Sequence, residues 1–323
     1  MYKNYKDKVS KYQNKLNQVG GAQQSNEELD KLVTILSNTD TLGTMPLPSI
    51  INLYRTGHPG IQNAIKQYKM HDFYDQTPLQ DDVTLREFNE MFPFCKGLNI
   101  SKRQDITDEF LRYLRGIKRL NISGCVFITD LGFIHLRGIH TLDMIYSNHI
   151  TDAAFRNLRG IHTLNITHCF RQLTNNAFIH LRGIQNLKMR GCEQITDGAL
   201  VNLRGIHTLN MSLCTEITNP GFYNLRGINT LDMTACSQIT DDAFVNLNDI
   251  HTLFIDGNTF ITDAAFINLR NIKTLRMRYC NQVTITNVAF DYLKNTRIQN
   301  LDMTGCLPDR IAYARSIGLP VVA

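Results

Sequence analysis

At 323 residues, with 43% hydrophobic and 20% charged residues, the chain can bury a sizeable core and is too apolar for wholesale disorder. No apolar run approaches the roughly 18 residues that would suggest a transmembrane helix. A net charge of +5, with ten histidines counted neutral, is only mildly basic and by itself argues little for a nucleic-acid partner.

In chain order, Lys3, Lys6, Lys8, Lys11 and Lys15 face a single Asp7 within the first 19 residues, and no apolar stretch of a secretory signal accompanies them. A cytoplasmic, intracellular location is therefore expected; the richness in Asn, Ile and Lys suggests an AT-rich genome, of a protist or of a large eukaryotic virus, and in the viral case the location is a host cell. Tyr5, Val9, Tyr12, Leu16 and Val19 alternate in steps of four and three, which predicts a short amphipathic helix. Gly20-Gly21-Ala22-Gln23-Gln24-Ser25 reads as a flexible linker, so residues 1–24 form a polar helix and tether. A second helix is expected from Glu27 to Leu36. Two further short apolar segments follow, Leu47-Pro48-Ser49-Ile50-Ile51-Asn52-Leu53 and Ile61-Gln62-Asn63-Ala64-Ile65, parted by Gly57-His58-Pro59-Gly60. Val83, Leu85, Phe88, Met91, Phe92 and Phe94 close this non-repeating region at residue 97, and could cover the apolar end of a repeat stack.

From residue 98 to 306 the chain repeats. Strand anchors at Leu98, Leu120, Leu142, Leu164, Leu187, Leu209, Leu231, Leu253, Leu275 and Leu301 make ten copies, 22 residues apart except for one step of 23 and a last step of 26. Each unit begins with alternation, as in Ile206-His207-Thr208-Leu209-Asn210-Met211, the mark of a strand with one buried face. A short helix is expected after Ile-Thr-Asp, with Thr as N-cap and Asp beside the positive end of the dipole. Ala154, Phe155 and Leu158, or Ala265, Phe266 and Leu269, form its apolar stripe, and the small residue lets the helix lie close to the sheet. Arg-Gly pairs such as Arg159-Gly160 and Arg204-Gly205 end the helix, Gly in the left-handed conformation and Asn271 and Asn295 as its substitutes. Residues 307–323 form a closing cap, with Asp309 expected to N-cap a final helix through Ile311 and Ala314.

The pattern Ile-x-x-Leu-x-Ile/Met-x-x-Cys-x-x-Ile-Thr-Asp resembles the leucine-rich repeat, and Cys in place of Asn is similar to its cysteine-containing class. The resemblance implies an α/β solenoid, a horseshoe of parallel strands and short helices whose concave face holds a macromolecule. Cys125, Cys169, Cys192, Cys214, Cys236 and Cys280 all fall three residues after the second anchor, an inward position that packing explains, with metal or redox chemistry as the alternative. Leu47 and Pro48, with Ile51, Ile61 and Ile65, resemble an F-box, although no Glu follows the Leu-Pro, the first helix is short and the chain has no Trp. In that family the motif docks a Skp-type adaptor of a cullin ubiquitin ligase, so the resemblance implies an adaptor site at residues 45–70, within a region 25–97 that can also, or instead, serve as a cap.

The bland Thr and Asn background of the strands makes departures informative. Ile145, Tyr146, Lys188, Arg190, Leu213, Phe254, Asp256, Arg276, Arg278 and Tyr279 are the candidate contacts for a client protein, because aromatic and Arg side chains dominate interface hot spots. His140, His162, His207 and His251 share one position, but only the first two are on adjacent strands, so three metal ligands cannot converge. The row of helix-end Arg residues could bind RNA or acidic lipid, or merely cap the helices. No Gly-rich phosphate loop, G-x-S-x-G or H-E-x-x-H occurs. The sequence thus predicts no enzyme, no catalytic residue, no cofactor, no metal and no membrane contact. It predicts an interaction scaffold, read first as the substrate-recognition subunit of a ubiquitin ligase, second as a scaffold without that machinery, and third as a binder of RNA or acidic lipid.

Overall fold

The computed structural model describes residues 26–38, 41–69, 71–169 and 171–323. The helix expected over Tyr5 to Val19 and the linker after it lie outside the described residues. The chain divides into a first unit that ends at Asn99 and a second unit over Ile100–Ala323.

The first unit runs α1 (Asn26–Asn38), α2 (Thr41–Thr44), α3 (Leu47–Arg55), α4 (Pro59–Gln67), β1 (Asp72–Phe73), α5 (Leu85–Met91) and β2 (Gly97–Asn99). Proline starts two of these helices: Pro48 lies in the first turn of α3 and Pro59 opens α4, where the missing N–H has no helical acceptor to lose. Thr84 N-caps α5 by accepting from the Glu87 amide at 3.0 Å. Phe73 and Phe92 pack on the His71 ring at centroid separations of 5.3 and 4.9 Å, and Phe88 packs on both of them at 6.1 and 4.8 Å. Val83, Leu85, Met91 and the phenylalanines of this core are buried as their apolar character demands, but Phe94 is exposed and lies beneath the Lys69 ammonium. Arg55 ties α3 to α5 through Asp82 at 2.8 Å and Glu87 at 3.3 Å.

The second unit is a solenoid. Its strands are β3 (Arg119–Asn121), β4 (Thr141–Asp143), β5 (Thr163–Asn165), β6 (Asn186–Lys188), β7 (Thr208–Asn210), β8 (Thr230–Asp232), β9 (Thr252–Phe254), β10 (Thr274–Arg276), β11 (Asn300–Asp302) and β12 (Val321–Val322). They pair in parallel and in sequence order, with anchor leucine on anchor leucine: Leu120 on Leu142, Leu142 on Leu164, and so to Leu275 on Leu301 and Leu301 on Val321. No repeat could bury these leucines alone. Stacked, each is no more than 1% exposed. The return segment buries a second row, Phe133, Phe155, Phe178, Phe222, Phe244, Phe266 and Phe290, with Leu111 and Leu200 in the two repeats that lack the ring.

Two local expectations need correction and two are refined. The expected short helices are mostly a single α-turn continued as 3₁₀, or 3₁₀ throughout as in Asn219–Leu225, whereas Asn287–Lys294 is an eight-residue α-helix. The six Arg-Gly glycines are left-handed, with φ between 78° and 86°, but Asn271 and Asn295 are not: Asn295 has φ −93°, and Asn271 donates from its side chain to the Asn248 carbonyl at 3.1 Å. The last helix begins at Pro308 after Leu307, so Asp309 sits in its first turn and does not cap it. Where the small residue is Gly132 or Gly221 it meets the preceding repeat: a Cβ at Gly132 would run into Asp108 Oδ1 and lie 2.8 Å from Leu111 Cδ1.

Candidate functional site

Three ladders hold consecutive repeats together, and they account for most of the polar residues that recur. The Cys column donates its thiols across repeats, Cys125 to the Ile100 carbonyl at 3.0 Å, Cys169 to Met144 at 3.1 Å and Cys214 to Met189 at 3.2 Å. Where Asn258 replaces Cys, its amide does the same for Met233 and also accepts from the Cys236 N–H. Burial pushes these thiols up, Cys125 to about 11 and Cys169, Cys214, Cys236 and Cys280 to about 12, so they are not nucleophiles at neutral pH. The Asp that follows each Thr grips the next repeat: Asp197 accepts the Thr218 amide at 2.8 Å and its hydroxyl at 2.5 Å. Asp108, Asp130, Asp152, Asp241 and Asp263 do likewise, and Asn175 and Asn219 stand in where Asp is missing. Finally, Arg137, Arg182, Arg204 and Arg226 donate to Asn157, Asn202, Asn224 and Asn246 of the following repeat. The Arg row is thus a set of inter-repeat ties, a role that spacing alone did not reveal.

What remains is the open face of the sheet and the turn after each strand. In every repeat that turn passes through a left-handed residue: Lys102, Gly124, Tyr146, His168, Gly191, Leu213, Ala235, Gly257, Tyr279 and Gly305, with φ between 56° and 74°. Glycine enters this region freely, whereas an L side chain there costs about 1 kcal/mol or more. Tyr146, Leu213 and Tyr279 were singled out from the sequence as departures, and the structure brings them into this one column. His168 was missed. Its ring stacks on Tyr146 at 5.1 Å and 6° between planes, and its edge lies over Gly191, where a Cβ would come within 2.7 Å of Nδ1. The Tyr279 ring lies over Gly305 in the same manner. The four glycines of the column, Gly124, Gly191, Gly257 and Gly305, were the available signal: the backbone there favours glycine, and a ring or branched side chain at the same position buries no core.

The charged candidates fall into two groups. Around β9 to β11 they neutralise one another. Arg276 donates to Asp256 at 2.7 Å, lies 3.9 Å from Asp232 and covers the half-buried Phe254 ring at 4.1 Å. Asp256 also accepts the Arg278 amide at 2.9 Å, and the Arg278 side chain is paired with Asp302 at 2.6 Å. Although burial pushes the Asp302 carboxyl up, the Arg278 and Thr304 donors outweigh it and hold the group below its usual range. At β6 the situation differs. Lys188 and Arg190 are exposed, the Arg190 guanidinium meets the Ser212 hydroxyl at 3.2 Å, and the flanking strands offer Asn165, Thr167, Asn210 and Ser212 without a carboxylate. Half-buried Ile145 and the Tyr146–His168 stack border this pair of cations.

The remaining candidates are placed plainly. Leu47, Ile51, Ile61 and Ile65 are buried in the first unit, and Pro48 is half-buried. His140 and His162 stack at 4.6 Å, each with its Nδ1 on its own neighbouring Thr hydroxyl. Among the described residues no three His, Cys, Asp or Glu side chains converge on one point, and no helix is long and apolar enough to cross a membrane.

A short parallel strand, a tight turn and a helical return, stacked with leucine on leucine, define a leucine-rich-repeat solenoid. Six copies of the BspA type leucine rich repeat region match residues 106–229, 143–251 and 213–297, more than half of the chain. The chain belongs to that family. No curated protein matches the sequence. Solved structures of similar fold include the Toll–Spatzle complex of Drosophila, at 13% identity over 76% of this chain and 45% of that one, TM-score 0.50. The TLR13–ssRNA13 complex matches at 18% identity over 76% of this chain and 37% of that one, TM-score 0.58. The yeast Rad7 and Elc1 complex matches over 99% of this chain and 96% of that one at 13% identity, TM-score 0.41. The chain spans less than half the length of the Toll and TLR13 complex chains it matches.

Proposed function

We propose that the chain is an interaction scaffold that holds a client protein on the open sheet face, centred on Ile145, Tyr146, His168, Lys188 and Arg190. The observation that carries this reading is the glycine column filled by large side chains. Strained backbone persists where something other than stability selects it, and binding is the use left for side chains that cover no core. Leu213 and Tyr279 extend the same column, while Phe254, Asp256, Arg276 and Arg278 form a self-neutralised border. The two cations favour a client with carboxylates on alternate residues of an extended segment, since Lys188 ends β6 and Arg190 follows two residues on, about 7 Å for extended chain. A nucleic acid running along the face fits less well. It would gain few unpaired cations and would meet Asp232 and Asp302 further along, whereas phosphate recognition rests on many neutralised phosphates.

Affinity capture tests the reading. Proteins retained by the wild type should be lost by Tyr146→Gly combined with Arg190→Glu at an unchanged melting temperature. Retention of the same proteins by that variant would move the client elsewhere.

The finer reading, a substrate-recognition subunit of a ubiquitin ligase, adds a Skp-type adaptor on residues 45–70. Its support is the Leu47-Pro48 start and the paired short helices α3 and α4. Because Leu47, Ile51, Ile61 and Ile65 are spent on the unit's own core, an adaptor would meet Pro48 and the exposed Asn52, Asn63 and Lys66. Co-purification of the full chain with a Skp-type adaptor is the expected result under this reading, and its absence from folded protein leaves a scaffold without ligase machinery.

A further inference from the structure

The helical face carries a row of apolar side chains that cover no part of the core. The residue after the buried Phe or Leu of each return segment points outward; it is Arg112 and Ile134 in the first two repeats, and from the third onward it reads Arg156, Ile179, Val201, Tyr223, Val245, Ile267 and Asp291. The five central side chains are 47–56% exposed although each is apolar. Arg156 and Asp291 show that the position accepts charge. Burying nothing of their own repeat, five adjacent apolar residues there form a continuous stripe, of the kind that marks an interaction surface.

The order of the row identifies what covers it. About Tyr223 it is symmetric: valine on either side, then isoleucine, then opposite charges. A twofold axis through Tyr223, with the rows antiparallel, sets tyrosine on tyrosine, Val201 on Val245 of the partner subunit and Ile179 on Ile267 of the partner subunit. It also sets Arg156 on Asp291 of the partner subunit, twice. Such self-complementarity is what an isologous interface requires, residue i meeting j while j meets i. The central ring is already ordered, held between the Arg226 guanidinium at 4.4 Å and that of Arg204 at 5.9 Å, and each of those arginines is anchored on an Asn of the next repeat. Arg156 commits only its Nε, to the Ala153 carbonyl at 2.9 Å, and Asp291 accepts the Tyr313 hydroxyl on Oδ1, which leaves a guanidinium edge and the second carboxylate oxygen for a partner.

We propose that two copies of this chain pair through the helical face about a twofold axis at Tyr223. Five half-exposed side chains and the flanking arginine stems amount to roughly 500 Å² per copy, below the ~800 Å² of a standard interface, so the pairing belongs to the weak, micromolar class. It uses the face opposite the proposed client surface and does not depend on that reading.

Sedimentation velocity of the full chain from about 1 to about 200 μM, a range that brackets micromolar affinity, tests the pairing. The weight-average mass should rise toward twice the monomer value, and Tyr223→Asp or Val245→Asp should hold it at the monomer. Arg156→Asp and Asp291→Arg should each weaken association about tenfold, one tenfold step being about 1.4 kcal/mol, and together restore it. Both residues lie on the surface, and circular dichroism verifies that each variant is folded. A monomer at every concentration overturns the proposal. So does a dimer indifferent to Tyr223→Asp and Val245→Asp, or a double reversal no better than its parents.

Discussion

His71 is a buried base with one ring nitrogen on the Ile65 carbonyl at 3.2 Å and, among the described residues, no partner for the other. Desolvation pulls it down to about 4, so it folds neutral. Between about pH 6.5 and about 4 the unfolded chain binds a proton that the folded chain refuses, and stability falls as the pH drops through that window. Denaturant melts of the first unit should lose about 3 kcal/mol from pH 7 to pH 4 on this group's account, and His71→Phe should flatten the slope. An unchanged slope would remove the assignment. The thiols act at the other end of the scale. Their folded values lie above those of the unfolded chain, so stability is full below about pH 9 and falls as the pH rises toward 12. Thiol-specific reagents should modify the column only after unfolding, and fast native labelling of Cys214 would contradict this. In the left-handed column the exchange runs the other way. Tyr279→Gly should leave the melting temperature unchanged or raise stability by up to about 1 kcal/mol, since glycine adopts that conformation without strain.

At the scale of one element, the return segment shows how far a local rule carries. Thr does cap: Thr151, Thr174, Thr262 and Thr286 accept from the amide two residues on. The Asp beside it was read as serving its own helix dipole, but a segment of one or two turns has little dipole, and the carboxylate serves the next repeat instead. Because Asn175 and Asn219 do the same work, Asp197→Asn should be nearly neutral in a urea melt, while Asp197→Ala should cost about 1–2 kcal/mol by orphaning the Thr218 amide and hydroxyl. Equal losses for the two would contradict the ladder. The same blindness affected the Arg row, whose partner Asn lies one repeat on. Periodicity reveals which residues share a column; it does not reveal whether a column bonds within its repeat or across to the next.

For the whole molecule, the repeating half was legible because its rule is written ten times, and leucine on leucine in parallel register follows from it. The first unit was less so. Its apolar pattern predicted α1, α3 and α4, yet whether Ile51 or Ile65 meets a partner or the unit's own core depends on packing between helices distant in sequence, which spacing cannot supply. The candidate site was half legible. Tyr146, Lys188 and Arg190 stood out as departures, but the neutralisation of Arg276 and Arg278 by Asp256 and Asp302, and the stacking of His168, required coordinates. The central claim is that the turns after β4 to β6 hold the client. Hydrogen–deuterium exchange on the captured complex tests it most directly. Protection should concentrate in residues 144–148, 166–169 and 189–191, with the return segments unchanged. Protection confined to the return segments or to the first unit, with those turns exchanging as in the free chain, would contradict it.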